Sequence, residues 1–103
     1  MSLAKSDTFR IMKIGVVVLA YNLEKYLKTA IDSVFEQDYK NFEIVVINDG
    51  SSDNTQEIID SYGSKIFCIH HEKNVGALPA HISGIEFWHG KVDILAFLDG
   101  DDI

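Results

Sequence analysis

The strongest constraint on the fold is an alternation between two hydrophobic patterns along the chain. Residues 14–20 (IGVVVLA) are continuously apolar and rich in valine, which is typical of a strand buried on both faces of a parallel sheet. The apolar residues that follow recur at spacings of three and four, which forms one stripe of an amphipathic helix. They are Leu23, Tyr26, Leu27, Ala30, Ile31, Val34 and Phe35. Asn22 fits the N-cap of this helix, so the pattern predicts a strand followed directly by a helix.

The same cycle of strand and helix occurs twice more, and a strand ends the series. The further predicted strands are residues 42–47, 65–70 and 92–98. Asp53 and Gln56 resemble a capping box that opens a second helix, which ends at Gly63. Pro79 fits the first turn of a third helix, which stops at Gly90. Helical crossovers make neighbouring strands parallel and place helices on both faces. We therefore predict an α/β fold, a Rossmann-like three-layer sandwich with a mostly parallel sheet.

Composition narrows the class of protein and its partners. The 103 residues suit one domain, and we expect a flexible tail over residues 1–12 before a domain over residues 13–103. Nine basic and sixteen acidic residues give a net charge of −7, which argues against a nucleic-acid partner. The single Cys68 cannot form an internal disulfide, which fits a reducing, cytoplasmic setting. The longest apolar run is too short to span a bilayer.

Polar clusters follow the first, second and fourth predicted strands. They are AYN at residues 20–22, NDGSSDNT at residues 48–55 and DGDD at residues 99–102. Ligands of open parallel sheets bind beyond the carboxyl ends of the strands. The three clusters are therefore expected to converge on one edge of the sheet.

The last cluster suggests a site for a divalent cation. The carboxylates of Asp99, Asp101 and Asp102 repel one another unless they protonate, separate or bind a cation. Mg²⁺ and Mn²⁺ take oxygen ligands and use few carboxylates when phosphate and water fill the remaining positions. Gly100 lets the backbone bend and a ligand approach. A solvated acidic turn is the alternative interpretation.

The first two clusters suggest contacts to a base or a sugar. Asp49 follows a buried strand and can accept hydrogen bonds, although an Asx turn with a helix cap explains it equally well. Tyr21 can stack on a nucleobase, although a lone tyrosine more often serves packing. His70 and His71 are adjacent in a strand and point to opposite faces, which is poor geometry for a joint metal site. Solvated or capped histidines are the default expectation there.

Four segments resemble the amino-terminal half of a family-two glycosyltransferase with the GT-A fold. They are VVVLAYNLEKYL, SVFEQDYKNFEIVVINDGSSDNT, NVGALPAHISGI and FLDGDD, and they cover the chain from about residue 14 to its end. The resemblance implies binding of a nucleotide-diphosphate sugar, most often a uridine one, through Mg²⁺ or Mn²⁺. It also implies inverting transfer of the sugar to a hydroxyl of an acceptor glycan or lipid-linked sugar, in polysaccharide or glycoconjugate synthesis.

The resemblance implies roles for individual residues. The nucleotide-sugar-binding residues would be Leu19, Tyr21, Glu24, Asp49, His81, Asp99 and Gly100. In that set, Tyr21 would lie beside the base and Asp49 would hydrogen-bond to it. Asp99 and Asp101 would be the metal ligands. The chain departs from the family pattern at Leu19, where a proline is common, at Asn48, where an aspartate is usual, and at His81, where an arginine is usual.

Domains of this family are considerably longer than this chain, so the resemblance implies a truncated GT-A fold. The acceptor site and the catalytic base would then follow Ile103, no catalytic residue would lie in this chain, and the chain would be inactive alone. Apolar surface exposed by the truncation would favour self-association. We expect a cytoplasmic protein, which the missing regions would attach to the inner face of a membrane.

Three other functions are alternatives to this one. A receiver-type signalling domain needs an acidic pair after its first strand, where this chain has Tyr21 and Asn22. A nucleotidyltransferase of related fold needs a glycine-rich loop at the same place, and residues 20–26 contain no glycine. A non-catalytic module that binds sugar nucleotides fits the same residues and stays open.

Overall fold

The computed structural model describes residues 12–99, which leaves the predicted tail up to residue 11 outside the described residues. The strands of this part are β1 (Ile14–Ala20), β2 (Phe42–Asp49), β3 (Phe67–His71) and β4 (Ile94–Asp99). Its helices are α1 (Leu27–Phe35), α2 (Thr55–Ser61) and α3 (Ala77–Trp88), and a 3₁₀ turn (Gly63–Lys65) lies between α2 and β3. No helix between residues 12 and 99 has both the length and the hydropathy to cross a membrane.

The four strands form one parallel sheet with the order β3-β2-β1-β4. Val17 of β1 lies beside Val45 of β2 on one side and beside Phe97 of β4 on the other. The chain steps outward from β1 to β2 and β3, and then returns across β1 to β4. Because the direction of winding reverses between β1 and β4, a crevice forms at the carboxyl ends of these strands. The predicted α/β fold with a parallel sheet is confirmed.

Helices cover both faces of the sheet, which makes three layers. On one face, α1 and α2 pack over Val18 and Val46. On the other face, α3 packs over Val17, Val45 and the residues around them. Successive residues of β1 and β2 are therefore buried alternately against the two helical layers, which explains why these segments are apolar without interruption.

Two glycines allow α3 to lie close to the sheet. A Cβ atom on Gly84 would lie 2.5 Å from Cγ1 of Val17, and one on Gly15 would lie 2.7 Å from Cγ of Trp88. The indole Nε1–H of Trp88 donates a hydrogen bond to the carbonyl oxygen of Val16 at 3.2 Å. Both interfaces therefore lack room for even one additional methyl group.

The first helix begins later than predicted. Its N-cap position is Tyr26 rather than Asn22, whose φ of 51° lies in the left-handed region. The side-chain oxygen of Asn22 accepts a hydrogen bond from the backbone N–H of Ser52 at 2.7 Å, and its own N–H donates to Oγ of Ser51 at 3.0 Å. Contacts between the loops after β1 and β2 therefore replace the predicted cap.

The predicted capping box at the start of α2 is wrong, because the N-cap position of this helix has no side-chain cap. Asp53 instead accepts hydrogen bonds from the backbone N–H groups of Thr55 at 3.0 Å and Glu24 at 3.2 Å. The side-chain oxygen of Gln56 accepts a hydrogen bond from Nδ2 of Asn48 at 2.7 Å. Asp53 therefore joins the first residue of α2 to the loop after β1, and Gln56 contacts β2 instead of reaching back to Asp53.

The edge strand β4 is apolar on both faces. Leu95 and Phe97 are 37% and 46% exposed on the side of α3. Ala96 and Leu98 face the other side, where they line an apolar cavity of about 540 Å³. The expected self-association would depend on these side chains, and it stays a prediction.

The close packing at Gly84 predicts that Gly84→Ala destabilises the fold by about 1–3 kcal/mol, the usual cost of overpacking. At a helix position with free space, the same change would stabilise the protein by about 1 kcal/mol through helix propensity. The free energy of unfolding from urea denaturation therefore distinguishes the two cases by sign. Glu86→Ala, at an exposed position of the same helix, is the control, and we expect a change within about 0.5 kcal/mol. A more stable Gly84→Ala variant would refute the packing argument.

Candidate functional site

A cavity of about 320 Å³ opens at the carboxyl ends of β1, β2 and β4, beside the start of α3. Leu19, Tyr21, Asp49 and Asp99, which were predicted to bind a nucleotide sugar, all line it. Asn74, from the loop after β3, completes one wall. The cavity thus lies where the order of the parallel strands reverses, which is the usual ligand site of such sheets.

Two predicted residues do not line this cavity, and two lie outside the described residues. Glu24 is exposed in the turn before α1, where its backbone N–H donates to Oδ2 of Asp53 at 3.2 Å. His81 is also absent from the described lining of the cavity. Gly100 and Asp101 follow the last described residue, so the structure does not place them.

His81 lies on the side of α3 that faces β4. Its Nδ1 is 2.7 Å from the carbonyl oxygen of Ala77, and its ring packs against Phe97 with the ring centroids 5.3 Å apart. A carbonyl oxygen only accepts hydrogen bonds, so Nδ1 carries the hydrogen and donates it. The imidazole therefore has Nε2 as its one ring nitrogen available to a ligand.

Asp49 is the most constrained polar group of the cavity, with only 5% of its surface exposed. Its Oδ1 accepts hydrogen bonds from the backbone N–H of Val75 and from Nδ1 of His71, both at 3.0 Å. Its Oδ2 accepts one from the backbone N–H of Gly76 at 3.1 Å. Burial alone would raise the pKa of Asp49, but the hydrogen bonds from Val75, His71 and Gly76 outweigh it and hold the pKa below 3.8.

The electrostatic state of Asp49 determines what it can recognise. An ionised carboxylate is only an acceptor, and it has about four lone-pair directions for three protein donors. Oδ2 has a single protein donor, so it retains capacity for a hydrogen bond from a ligand in the cavity. The site is therefore suited to a ligand that presents an N–H or O–H group.

Glycine allows the loops after β2 and β3 to meet at the cavity. Gly50 has a φ of 73°, and a Cβ atom there would lie 2.4 Å from the backbone nitrogen of Asn74. This close approach fixes Asn74 in the wall beside Asp49.

Tyr21 projects from the loop after β1 with 48% of its surface exposed. The residues after it are held by the loop after β2, since the N–H of Leu23 donates to Oγ1 of the buried Thr55 at 3.0 Å. The backbone on either side of Tyr21 is therefore fixed, while its ring stays accessible to a planar ligand.

Asp99 ends β4 beside Leu19 of β1, and it is exposed. An accessible carboxylate suits Mg²⁺ or Mn²⁺, which take hard oxygen ligands and complete their coordination with phosphate and water. Over residues 12–99 no group of three or more histidine, cysteine or acidic side chains is arranged to hold a metal ion. Asp99 would therefore be one ligand of such a metal, and the predicted ligand Asp101 and a phosphorylated molecule would supply others.

Sequence reasoning missed His71 and Asn74. His70 and His71 do point to opposite faces, towards Gln56 and Asp49 respectively, as predicted. The side chain of His71 is only 18% exposed, however, so the expectation of a solvated or capped residue was wrong. The position of His71 in the sequence could have indicated this contact with Asp49, because parallel pairing of the predicted second and third strands brings their carboxyl ends together.

The lowered pKa of Asp49 predicts how the fold responds to acid. A carboxylate with a depressed folded-state pKa stabilises the fold above its ordinary value of 3.8 and loses this contribution as the pH falls through the folded value. Asp49→Asn should therefore be less stable than the wild type at pH 7, and the difference should shrink as the pH falls below about 4. Urea denaturation at several pH values measures this difference. A difference that stays constant with pH would contradict the interpretation.

Comparison with known proteins identifies the family of the chain. The sequence model of glycosyl transferase family 2 matches residues 15–103. An uncharacterized glycosyltransferase of Rickettsia prowazekii is 41% identical over 90 residues, which cover 87% of this chain and 27% of that protein. Glycosyltransferase GlyA of Streptococcus pneumoniae is 41% identical over 93 residues, which cover 87% of this chain and 13% of that protein. The chain thus spans about a quarter of the first relative and less of the second.

Solved structures show the same fold. Residues 1–349 of Staphylococcus aureus TarS in complex with UDP match with a TM-score of 0.76 and 30% identity, over 87% of this chain and 28% of that one. The mannosyltransferase PcManGT from Pyrobaculum calidifontis, in complex with GDP-Man and Mn²⁺, matches with a TM-score of 0.79 and 22% identity, over the same shares. Together with the family match over residues 15–103, these similarities show that the chain belongs to glycosyl transferase family 2 and has the GT-A fold.

Proposed function

We propose that this chain is the nucleotide-sugar-binding part of an inverting glycosyltransferase. The single observation that carries the proposal is the cavity at the reversal of strand order, which is lined at once by Tyr21, Asp49 and Asp99. The exposed ring of Tyr21 would stack on the base, and the ionised carboxylate of Asp49 would accept a hydrogen bond from its N–H edge. The accessible carboxylate of Asp99 would bind a metal that holds the diphosphate. Gly100 would let the diphosphate approach closely, and Leu19 would supply an apolar wall.

The base that this site fits best is uracil. Its N3–H can donate to the free acceptor capacity of Asp49 while its ring stacks on Tyr21. Cytosine has an unprotonated N3 at the same place, so the lone pair of this nitrogen would face a lone pair of the carboxylate. TarS, which is 30% identical to this chain, has been solved with UDP, and that similarity supports a uridine donor. Guanine also carries an N–H at its pairing edge and is the second candidate.

The metal would be Mg²⁺ or Mn²⁺, held by Asp99 and Asp101. Such an ion offsets the negative charge of the diphosphate and makes the nucleoside diphosphate a better leaving group. Around it, Asp99 supplies an exposed carboxylate at the end of β4. His81 has only Nε2 left for a phosphate, because its Nδ1 donates to Ala77. Glu24, in the turn after Tyr21, would contact the nucleotide from the rim.

We propose that the whole protein transfers the sugar to a hydroxyl of a glycan or a lipid-linked sugar, in polysaccharide or glycoconjugate synthesis. The base that deprotonates this hydroxyl would lie in a part of the protein outside these 103 residues. A cytoplasmic protein at the inner face of a membrane fits such an acceptor.

A nucleotide titration tests the metal and the base together. We expect UDP to bind in the presence of Mn²⁺, with GDP and deoxythymidine diphosphate as comparisons, and we expect a chelator to weaken the binding. Asp101→Ala and Asp99→Asn should each abolish the dependence on metal. Isothermal calorimetry measures all three effects. If the whole protein carrying this segment bound no nucleotide with or without Mn²⁺, the proposal would be wrong.

A second prediction tests the stacking role of Tyr21. Tyr21→Ala should weaken UDP binding roughly 5- to 150-fold, since base stacking on an aromatic ring contributes about 1–3 kcal/mol. Tyr26→Ala is the matched control, because Tyr26 is equally exposed, at 50%, and does not line the cavity. Equal losses of affinity in the two variants would show that Tyr21 has no specific role.

A further inference from the structure

We propose that His71 and Ser83 are positioning residues, which fix the orientation of Asp49 so that the site selects a base that carries a ring N–H group, as uracil and guanine do. This inference rests on the proposed nucleotide-binding function and names the residues that give the site its base specificity. Neither His71 nor Ser83 is among the described residues that line the cavity, so both would act through Asp49.

The side chains of Asp49, His71 and Ser83 form a continuous chain of hydrogen bonds. His71, the last residue of β3, lies beside Asp49 in the parallel register. Its Nδ1 is 3.0 Å from Oδ1 of Asp49, and its Nε2 is 3.0 Å from Oγ of Ser83. Ser83 also lies on α3 with its Oγ 3.2 Å from the carbonyl oxygen of Pro79. The carboxylate is thereby connected to the rigid backbone of a helix.

The protonation of this chain follows from its donors and acceptors. An ionised carboxylate only accepts, so Nδ1 of His71 must carry the hydrogen that lies between it and Asp49. Nε2 is then the nitrogen that faces Ser83, whose single hydroxyl hydrogen goes either to Nε2 or to the carbonyl oxygen of Pro79; in the second case Nε2 carries a hydrogen and donates it to Oγ. The hydroxyl of Ser83 holds the imidazole in the plane that this contact requires, because it meets the ring on the side opposite to the carboxylate.

Fixing the imidazole also fixes which carboxylate oxygen stays available. Oδ1 of Asp49 already accepts from His71 and Val75, whereas Oδ2 accepts only from Gly76, a residue that lines the cavity. Without His71, the carboxylate would be held only by the backbone N–H of Val75 at Oδ1 and that of Gly76 at Oδ2. The direction of the acceptor that meets the base would then be less firmly fixed.

A fixed acceptor discriminates between bases more strongly than a mobile one. A base with a ring N–H, such as N3–H of uracil or N1–H of guanine, donates to Oδ2, whereas the ring nitrogen at that place in cytosine or adenine is an acceptor and leaves two lone pairs facing each other. The neighbouring His70 provides a contrast, because its Nδ1 lies 2.9 Å from Oε1 of Gln56 on the opposite face of the sheet. A role in base selection should therefore belong to His71 and not to His70.

The experiment measures the ratio of affinities for UDP and CDP at fixed Mn²⁺, or for GDP and ADP if the wild type prefers guanine. We expect the wild type to favour the base with the N–H roughly 10- to 100-fold, as a hydrogen bond to a charged group allows. His71→Phe should bring this ratio to within about threefold of unity, and Ser83→Ala should lower it by a smaller factor. His71→Asn, whose amide can donate in place of Nδ1–H, should retain most of the ratio, as should the control His70→Asn.

The affinity ratio separates a positioning role from a structural one, since a general loss of folding weakens both nucleotides alike. A wild-type protein that binds no nucleotide would overturn the proposed function and this inference with it. A wild type that prefers UDP, together with an unchanged ratio in His71→Phe and Ser83→Ala, would overturn the positioning role alone. If His71→Phe does not fold, Ser83→Ala decides, because it leaves the imidazole in place.

Discussion

The buried carboxylate of Asp49 is the interaction on which the site depends. A buried charge is costly unless hydrogen bonds replace its hydration. Here the donors are the backbone N–H groups of Val75 and Gly76 and the imidazole of His71. All three belong to the end of β3 and the loop after it, so satisfying the charge also fixes this loop. Because α3 begins at Ala77, the same contacts set where that helix leaves the sheet.

Hydrogen bonds between neighbouring segments also hold the other loops of the site in place. Asn22 accepts from Ser52, and Thr55 accepts from Leu23, so the loop after β1 is attached to the loop after β2. Gly50 brings the loop after β2 against Asn74. The cavity is therefore formed by three loops that fix one another, and contacts within the protein hold the carboxylate of Asp49 and the backbone around Tyr21. Such preorganisation reduces the entropic cost of binding.

Hydrophobic pattern predicted the interior of the fold well and its boundaries less well. β1 was predicted over the residues that form it, because a strand buried on both faces is apolar at every position. The strand β3 begins at Phe67, later than predicted, since Gly63–Lys65 form a 3₁₀ turn. The start of α1 was predicted wrongly because Asn22 contacts Ser52, a residue distant in sequence. Local capping rules cannot anticipate such a contact.

Sequence reasoning anticipated that Tyr21, Asp49 and Asp99 would share one edge of the sheet, because parallel topology brings their strand ends together. It did not anticipate His71, since the contribution of that residue depends on the side chains of Asp49 and Ser83 in three dimensions. The roles of these residues in binding are proposals that the geometry supports.

The proposed site places a metal-bound nucleotide at the carboxyl ends of β1, β2 and β4. Nuclear magnetic resonance can locate this site by comparing backbone amide signals with UDP and Mg²⁺ and with UDP and the paramagnetic Mn²⁺. We expect Mn²⁺ to broaden the signals of Asp99 and Tyr21 most strongly and those of Phe42 and Ile94, at the amino ends of the strands, least. Broadening that is strongest at the amino ends, or equal along the strands, would contradict it.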